Sequence, residues 1–159
     1  MDVRIRPLAP DDYYDAGRIF FCAIHDGTRA HYTSEQRRAW AGDTIDLDHW
    51  KARMAAQEGF VAVEGEETVG LMTIDGDGLV DLAFVMPSCA GKGIGRHLLK
   101  ACEAWAAENG ASPLRTFASK AARPFFEANG WRVIAGETVE RRDVELTRFR
   151  MEKLPAECG

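Results

Sequence analysis

Between Val85 and Leu99 the chain reads VMPSCAGKGIGRHLL, with glycines at alternate positions, Gly91, Gly93 and Gly95. A strand-like run precedes them and a helix-like run follows. Glycines between a strand and a helix suit one kind of chemistry, the holding of an anion. Backbone N–H groups and a helix N-terminus carry partial positive charge, and missing Cβ atoms let a phosphate approach the main chain. Spacing decides whose phosphate. A nucleoside-triphosphate loop needs G-x-x-x-x-G-K-[ST], whereas Lys92 is followed by Gly93, with no hydroxyl for magnesium. A dinucleotide fingerprint needs G-x-G-x-x-G/A. Starting at Gly91 puts Arg96 at the third glycine's place, and starting at Gly93 puts Leu98 there. The acidic residue expected at the end of the next strand is missing from LRTFAS. What stays open is a coenzyme A loop or a plain tight turn from strand to helix.

Metal and disulfide chemistry find no support in the spacing. The four cysteines, Cys22, Cys89, Cys102 and Cys158, contain no C-x-x-C pair, and two fall on apolar helix faces. The four histidines, His25, His31, His49 and His97, also lack ligand spacing. No metal is expected.

With 159 residues, 46% hydrophobic and 28% charged, the chain suits one globular domain over residues 1–159. A net charge of −5 argues against nucleic acid or an anionic membrane as partner. No apolar run approaches membrane-spanning length, and MDVRIRPL lacks the features of a signal peptide, so a cytoplasmic protein is expected.

The elements that must position the loop follow from periodicity. VRIRPL alternates as a half-buried strand. In PDDYYDAGRIFFCAIHDG, Tyr13, Ala16, Phe20, Ala23 and Ile24 share one helical face. TSEQRRAWAG opens with a capping box, Thr33 and Gln36, and stops at Gly42. DLDHWKARMAAQEG carries Leu47, Trp50 and Met54 on one stripe. FVAVE, TVGLMTI and LVDLAFVM form a strand meander broken by EGEE and DGDG. After the glycine loop, Ile94, Leu98, Leu99, Cys102, Trp105 and Ala106 mark an amphipathic helix. LRTFAS is a strand, KAARPFFEANG a helix, and WRVIAGETVE with VELTRFRMEKL a closing strand pair, joined by a turn in VERRDVE with solvated charges. The order β-α-α-α-β-β-β-α-β-α-β-β describes a mixed α/β domain.

Two segments together resemble the GCN5-related N-acetyltransferase (GNAT) family. Its loop [QR]-x-x-G-x-[GA] follows a strand of the L-x-V-x-P kind, here AFVMP and Ala90-Gly91-Lys92-Gly93-Ile94-Gly95. Its second motif, A-x-x-[FL]-Y-E-x-x-G-[FW], is matched by Ala122-Arg-Pro-Phe125-Phe126-Glu127-Ala-Asn-Gly130-Trp131 after the polar Ser119. The stretches HYTSEQRRAWA and PFFEANGW are similar to those of the YafP-like bacterial branch. The resemblance spans nearly the whole chain. It implies a mostly antiparallel mixed sheet of about seven strands with helices on both faces. It also implies acetyl-CoA as co-substrate, and transfer of acetyl to a primary amine of a small molecule or peptide by direct attack. Edge strands in the family often pair between subunits, which makes a homodimer an option.

The resemblance also assigns residues. Coenzyme contacts fall on Ala83, Phe84, Val85, Ala90, Gly91, Lys92, Gly93, Ile94, Gly95, Arg96, Ser119, Ala122, Phe125 and Phe126. The oxyanion donor is a backbone N–H around Phe84 or Val85. Asp81, by the two-residue strand period, is one candidate for the base, and His31, in the acceptor region beside Tyr32, is the other. Trp40 either lines the acceptor pocket or packs in the core. Two departures stand out. Ala90 replaces the family's Gln or Arg, and Phe126 replaces the tyrosine that protonates departing coenzyme A. Water, or Tyr32 swinging from its loop, would have to substitute. Those losses keep a second class in play, a module that binds acyl-CoA without turnover.

Overall fold

The computed structural model describes residues 3–153. Its elements run β1 (Val3–Pro7), α1 (Tyr13–His25), α2 (Ser34–Ala41), α3 (Leu47–Ala55), β2 (Glu58–Glu64), β3 (Glu67–Ile74) and β4 (Leu79–Val85). They continue with α4 (Ile94–Asn109), β5 (Leu114–Ser119), α5 (Arg123–Ala128), β6 (Trp131–Arg141) and β7 (Val144–Lys153). This is the order expected from periodicity. One-turn 3-10 helices at Pro10–Asp12 and Pro87–Cys89 precede α1 and the glycine loop. The Thr33 cap forms as read: its hydroxyl accepts from Gln36 N at 3.1 Å, and Gln36 Oε1 accepts from Thr33 N at 2.9 Å. Helix α5 is shorter than its sequence pattern, because Ser119 Oγ accepts from Ala122 N at 3.0 Å and holds residues 120–122 in a turn. Cys158 and Leu154, read as a free thiol and the end of the last strand, lie outside the described residues.

The strands form one seven-stranded sheet in the order β1-β2-β3-β4-β5-β7-β6. Every neighbouring pair is antiparallel except β4 with β5, which α4 connects as a parallel crossover. Apolar side chains leave both faces, and each face has its own core. On one, Ala62, Met72, Ile74 and Val80 pack under Leu98, Leu99 and Cys102 of α4, with Phe126 and Trp131 alongside. On the other, Val61, Val63, Leu71 and Leu82 pack under Ala16, Ile19, Phe20 and Ile24 of α1 and Trp50 and Met54 of α3. Fully buried residues such as Ile19, Ile24 and Leu98 each contribute about 1.5–3 kcal/mol by leaving water.

Two irregularities in the middle of the sheet shape the site. Met72 pairs with Ala83 but Ile74 with Val80, so β4 carries one extra residue there, a bulge. The Leu82 amide is satisfied by Thr73 Oγ1 at 3.1 Å instead of a strand partner. Val80 consequently packs toward α4 while Leu82, two residues on, packs toward α1. Next, β4 and β5 pair only at Leu79–Arg115 and Val80–Thr116, where Thr116 Oγ1 donates to Val80 O at 2.8 Å. Beyond that point both strands continue unpaired with each other. A cleft opens between them.

Candidate active site

The cleft has a volume of about 1120 Å³ and is lined on one side by Leu82–Val85 and on the other by Thr116–Ser119. Along Ala83–Val85 one edge of β4 pairs with Met72, Leu71 and Gly70 of β3, and the other edge faces the gap. Strand geometry turns alternate backbone groups of such an edge outward, ready for an added strand-like ligand.

At one end stands the glycine loop. Ala90, Gly91, Gly93, Ile94, Gly95 and Arg96 line the cleft, whereas Lys92 is not among the lining residues. Gly91 and Gly93 have φ of +80° and +79°, the left-handed region that disfavours other residues, and a Cβ on either would meet nothing within 4 Å. Open space in front of a left-handed main chain is what an approaching anion requires. Gly93 is also the N-cap of α4 and offers no side chain, and the first turn contains no acid. Its amides and the helix dipole therefore face the cleft unneutralised by a side-chain cap. Gly95 does something different. A Cβ there would lie 3.1 Å from the Phe125 ring, so its absence lets α5 close onto α4. Phe125, Phe126, Ala122 and Ser119 line the facing wall. Phe126 is 1% exposed, with ring centroids 5.2 Å from Phe125 and 5.0 Å from Trp131. Trp131 is core, as expected.

The cleft floor holds Asp81. Arg53 Nε and Nη2 donate to its two oxygens at 2.9 Å each, and Gln57 Nε2 donates at 2.7 Å. Burial opposes its charge, but the Arg53 fork and the Gln57 amide outweigh it and hold the carboxyl below the usual range. The bulge lies between Asp81 and Val85, so the two side chains turn toward different helices. Asp81 reaches α3, while Val85 packs toward α4.

At the far end, Tyr32 is 4% exposed; its hydroxyl donates to Thr147 O at 2.7 Å and accepts from Lys120 N at 2.9 Å. Burial pushes the phenol up, against a smaller opposing effect of the Lys120 amide. It is a strut joining the α1–α2 segment to β7 and the β5–α5 turn, not a tyrosine placed to swing. His31 and His49 are both exposed; His31 is absent from the lining, whereas His49, on the first turn of α3, lines the cleft beside Trp50. His25, expected at its own helix end, meets the C-cap carbonyl of α2, with Nε2 2.7 Å from Gly42 O. Trp40 is half-buried, lines the cleft and meets the Tyr32 ring edge-on at 5.5 Å.

The β6–β7 turn corrects a further expectation. Arg142 and Asp143 adopt φ of 50° and 63° in the tight turn, but Arg141 and Arg142 line the cleft instead of pointing only to solvent. Arg142 Nη1 donates to Ala39 O at 2.6 Å. Arg53 sits on α3 and Gln57 just past its end, and nothing local in the sequence joined either to Asp81. Nothing local in VERRDVE marked its arginines. Among the described residues, no group of three or more His, Cys, Asp or Glu is placed to hold a metal, and no helix is long and apolar enough to cross a membrane.

Residues 28–153 match the family model described as the acetyltransferase (GNAT) domain. The chain belongs to the GNAT family. It is 30% identical, over 97% of both chains, to a protein of Escherichia coli K12 named as the uncharacterized N-acetyltransferase YafP. The crystal structure of a GCN5-related N-acetyltransferase from Rhodopseudomonas palustris superposes with a TM-score of 0.90 at 29% identity, covering 96% of each chain. A PaiA N-acetyltransferase of Thermoplasma acidophilum in complex with coenzyme A shares the fold, with a TM-score of 0.76, 18% identity and coverage of 96% and 99%. This GNAT protein is accordingly an N-acetyltransferase, and the splayed β4–β5 cleft is the place in the fold to look for its chemistry.

Proposed function

We propose that the cleft binds acetyl-CoA with its pyrophosphate on the Gly91–Gly93 loop, and that a primary amine entering from the Tyr32 end attacks the thioester carbon directly. The observation that carries this reading is the unpaired edge of β4 running from Asp81 toward a left-handed glycine loop and an uncapped helix start. The loop fits a phosphate, since the Cβ positions of Gly91 and Gly93 are open and it leads into a helix start without a side-chain cap. Arg96 adds charge beside it. Ala83–Val85 hold the pantetheine arm by strand-like pairing, and Ala122, Phe125 and Phe126 pack its apolar side. Acetyl-CoA supplies the activated acyl group; the chain supplies orientation, an oxyanion donor and a proton acceptor.

The Val85 amide, which turns away from β3 because the next amide, Met86 N, donates to Val69 O at 2.7 Å, donates to the carbonyl oxygen as charge builds on it. A C–N bond forms, the C–S bond breaks, and the amine proton passes to the His49 imidazole, directly or through water. Asp81 is engaged on both oxygens and serves as a fixed anion that ties α3 to the cleft floor; His31 has no part in the transfer. The departing thiolate takes its proton from water. A thiol's ordinary pKa of about 8.5 makes it a tolerable leaving group, so Phe126 lowers the rate without abolishing it.

Thiol release from acetyl-CoA, measured over a broad panel of amines and a range of pH, tests this. Release should occur with some amine. His49→Asn should cost about 10²-fold or more in kcat with coenzyme affinity kept, and Asp81→Asn should cost far less in kcat. Tight coenzyme binding with no release over any amine would favour the non-catalytic module.

A further inference from the structure

Building on the acetyl-transfer reading, we propose that the acceptor is an amine carrying a carboxylate on an apolar body, and that Arg141 and Arg142 receive the carboxylate. The chain as a whole has a net charge of −5, yet the uncompensated charge at this end of the cleft is positive. Arg53 is neutralised by Asp81 at 2.9 Å, and Arg148 by Glu137 at 2.6 Å while it stacks on Phe117. Arg141 and Arg142 form no ion pair with any described residue. Each is tethered through one nitrogen only, Arg142 to Ala39 O and Arg141 to Glu140 O at 3.0 Å. The remaining N–H groups of each guanidinium suit the fork-to-fork recognition of a carboxylate. Asp46 is the unpaired acid in this lining, and its carboxylate already caps α3 by accepting from His49 N.

The hairpin that carries the two arginines is held in place. It is tied to α2 through Gln36 Nε2 to Glu145 O at 3.2 Å and to the α1–α2 segment through the Tyr32 strut. A fixed hairpin leaves a ligand only the two exposed side chains to order. The same cleft is lined by Phe20, Trp40, Trp50, Phe84 and Leu146, which present no charge. A dicationic amine would bring its second charge to two guanidinium groups of the same sign, an unfavourable approach. An amine with an apolar side chain and a carboxylate meets matching chemistry at each point.

The test pairs each substrate with its decarboxylated counterpart: phenylalanine against phenethylamine, and leucine against isoamylamine, with acetyl-CoA saturating. The carboxylate-bearing member should win by at least about tenfold in kcat/KM, chiefly through KM, as expected for a charge-assisted pair. Arg142→Lys and Arg141→Gln should each erode the preference, with coenzyme affinity unchanged. Equal or better use of the decarboxylated amines, or an undiminished preference in the double variant, would overturn the assignment. If no amine releases thiol, acetyl transfer itself fails, and the carboxylate site is judged separately. Binding of N-acetylphenylalanine and N-acetylphenethylamine to the coenzyme-loaded protein is then compared by calorimetry. A tenfold preference for the acid upholds the site, and equal binding refutes it.

Discussion

Asp81 releases its proton more readily than an ordinary carboxylate, and that fact separates two roles a cleft carboxylate can have. A base must gain a proton during turnover, whereas the Arg53 fork and the Gln57 amide hold this carboxylate in its charged form. The same shift makes Asp81 a contributor to stability with a defined pH window. Its folded-state pKa lies below the unfolded value of about 3.9, so the contribution is present above that value and is lost as pH falls through the folded one. Asp81→Asn should cost about 1–2 kcal/mol at neutral pH, allowing for its partial exposure. Urea unfolding across pH should show the difference between wild type and variant steady from about pH 6 to 7 and shrinking below about pH 4. A difference that grows on acidification would refute the clamp. The sequence displayed Asp81, Arg53 and Gln57 but not their meeting, because that depends on one extra residue in β4.

At the scale of elements, the bulge and the Tyr32 strut do for the site what no motif does. The bulge changes which face β4 presents on either side of it, so Asp81 reaches α3 and Val85, four residues on, packs toward α4. Strand identity was readable from LVDLAFVM; strand regularity was not, since the bulge is stabilised by Thr73 from the neighbouring strand. The strut joins three segments far apart in sequence through one hydroxyl, with two hydrogen bonds at 2.7 and 2.9 Å. Tyr32→Phe leaves the Lys120 amide and the Thr147 carbonyl to find other partners and should cost about 1–3 kcal/mol. Its sharper signature is kinetic. KM for the amine should rise severalfold and coenzyme affinity should fall by less, because the strut touches the coenzyme wall only through Lys120 N in the turn beside Ala122. Steady-state kinetics beside a coenzyme titration would check this, and an equal loss in both would show that the strut holds the whole cleft.

The molecule as a whole is a sheet with two cores and one gap, and the gap lies where its single parallel pair stops. Alternation, helical periodicity, glycine stops and the Thr33 cap were enough to order all its elements, because each signal is local. The glycine-loop end of the cleft was legible for the same reason: its lining residues stand in two contiguous motifs. The other end is assembled from α1, α2, α3 and the β6–β7 turn, so Arg141, Arg142 and His49 came together only when the chain was folded. The central claim is that the left-handed glycines cradle the pyrophosphate of acetyl-CoA. Gly93→Asn isolates it, since asparagine tolerates a left-handed backbone while its side chain fills the space in front of the loop. Titration calorimetry with acetyl-CoA should give saturable one-site binding to the wild type and binding at least about tenfold weaker to the variant, with the melting temperature little changed. Equal affinity in the two proteins would contradict the account.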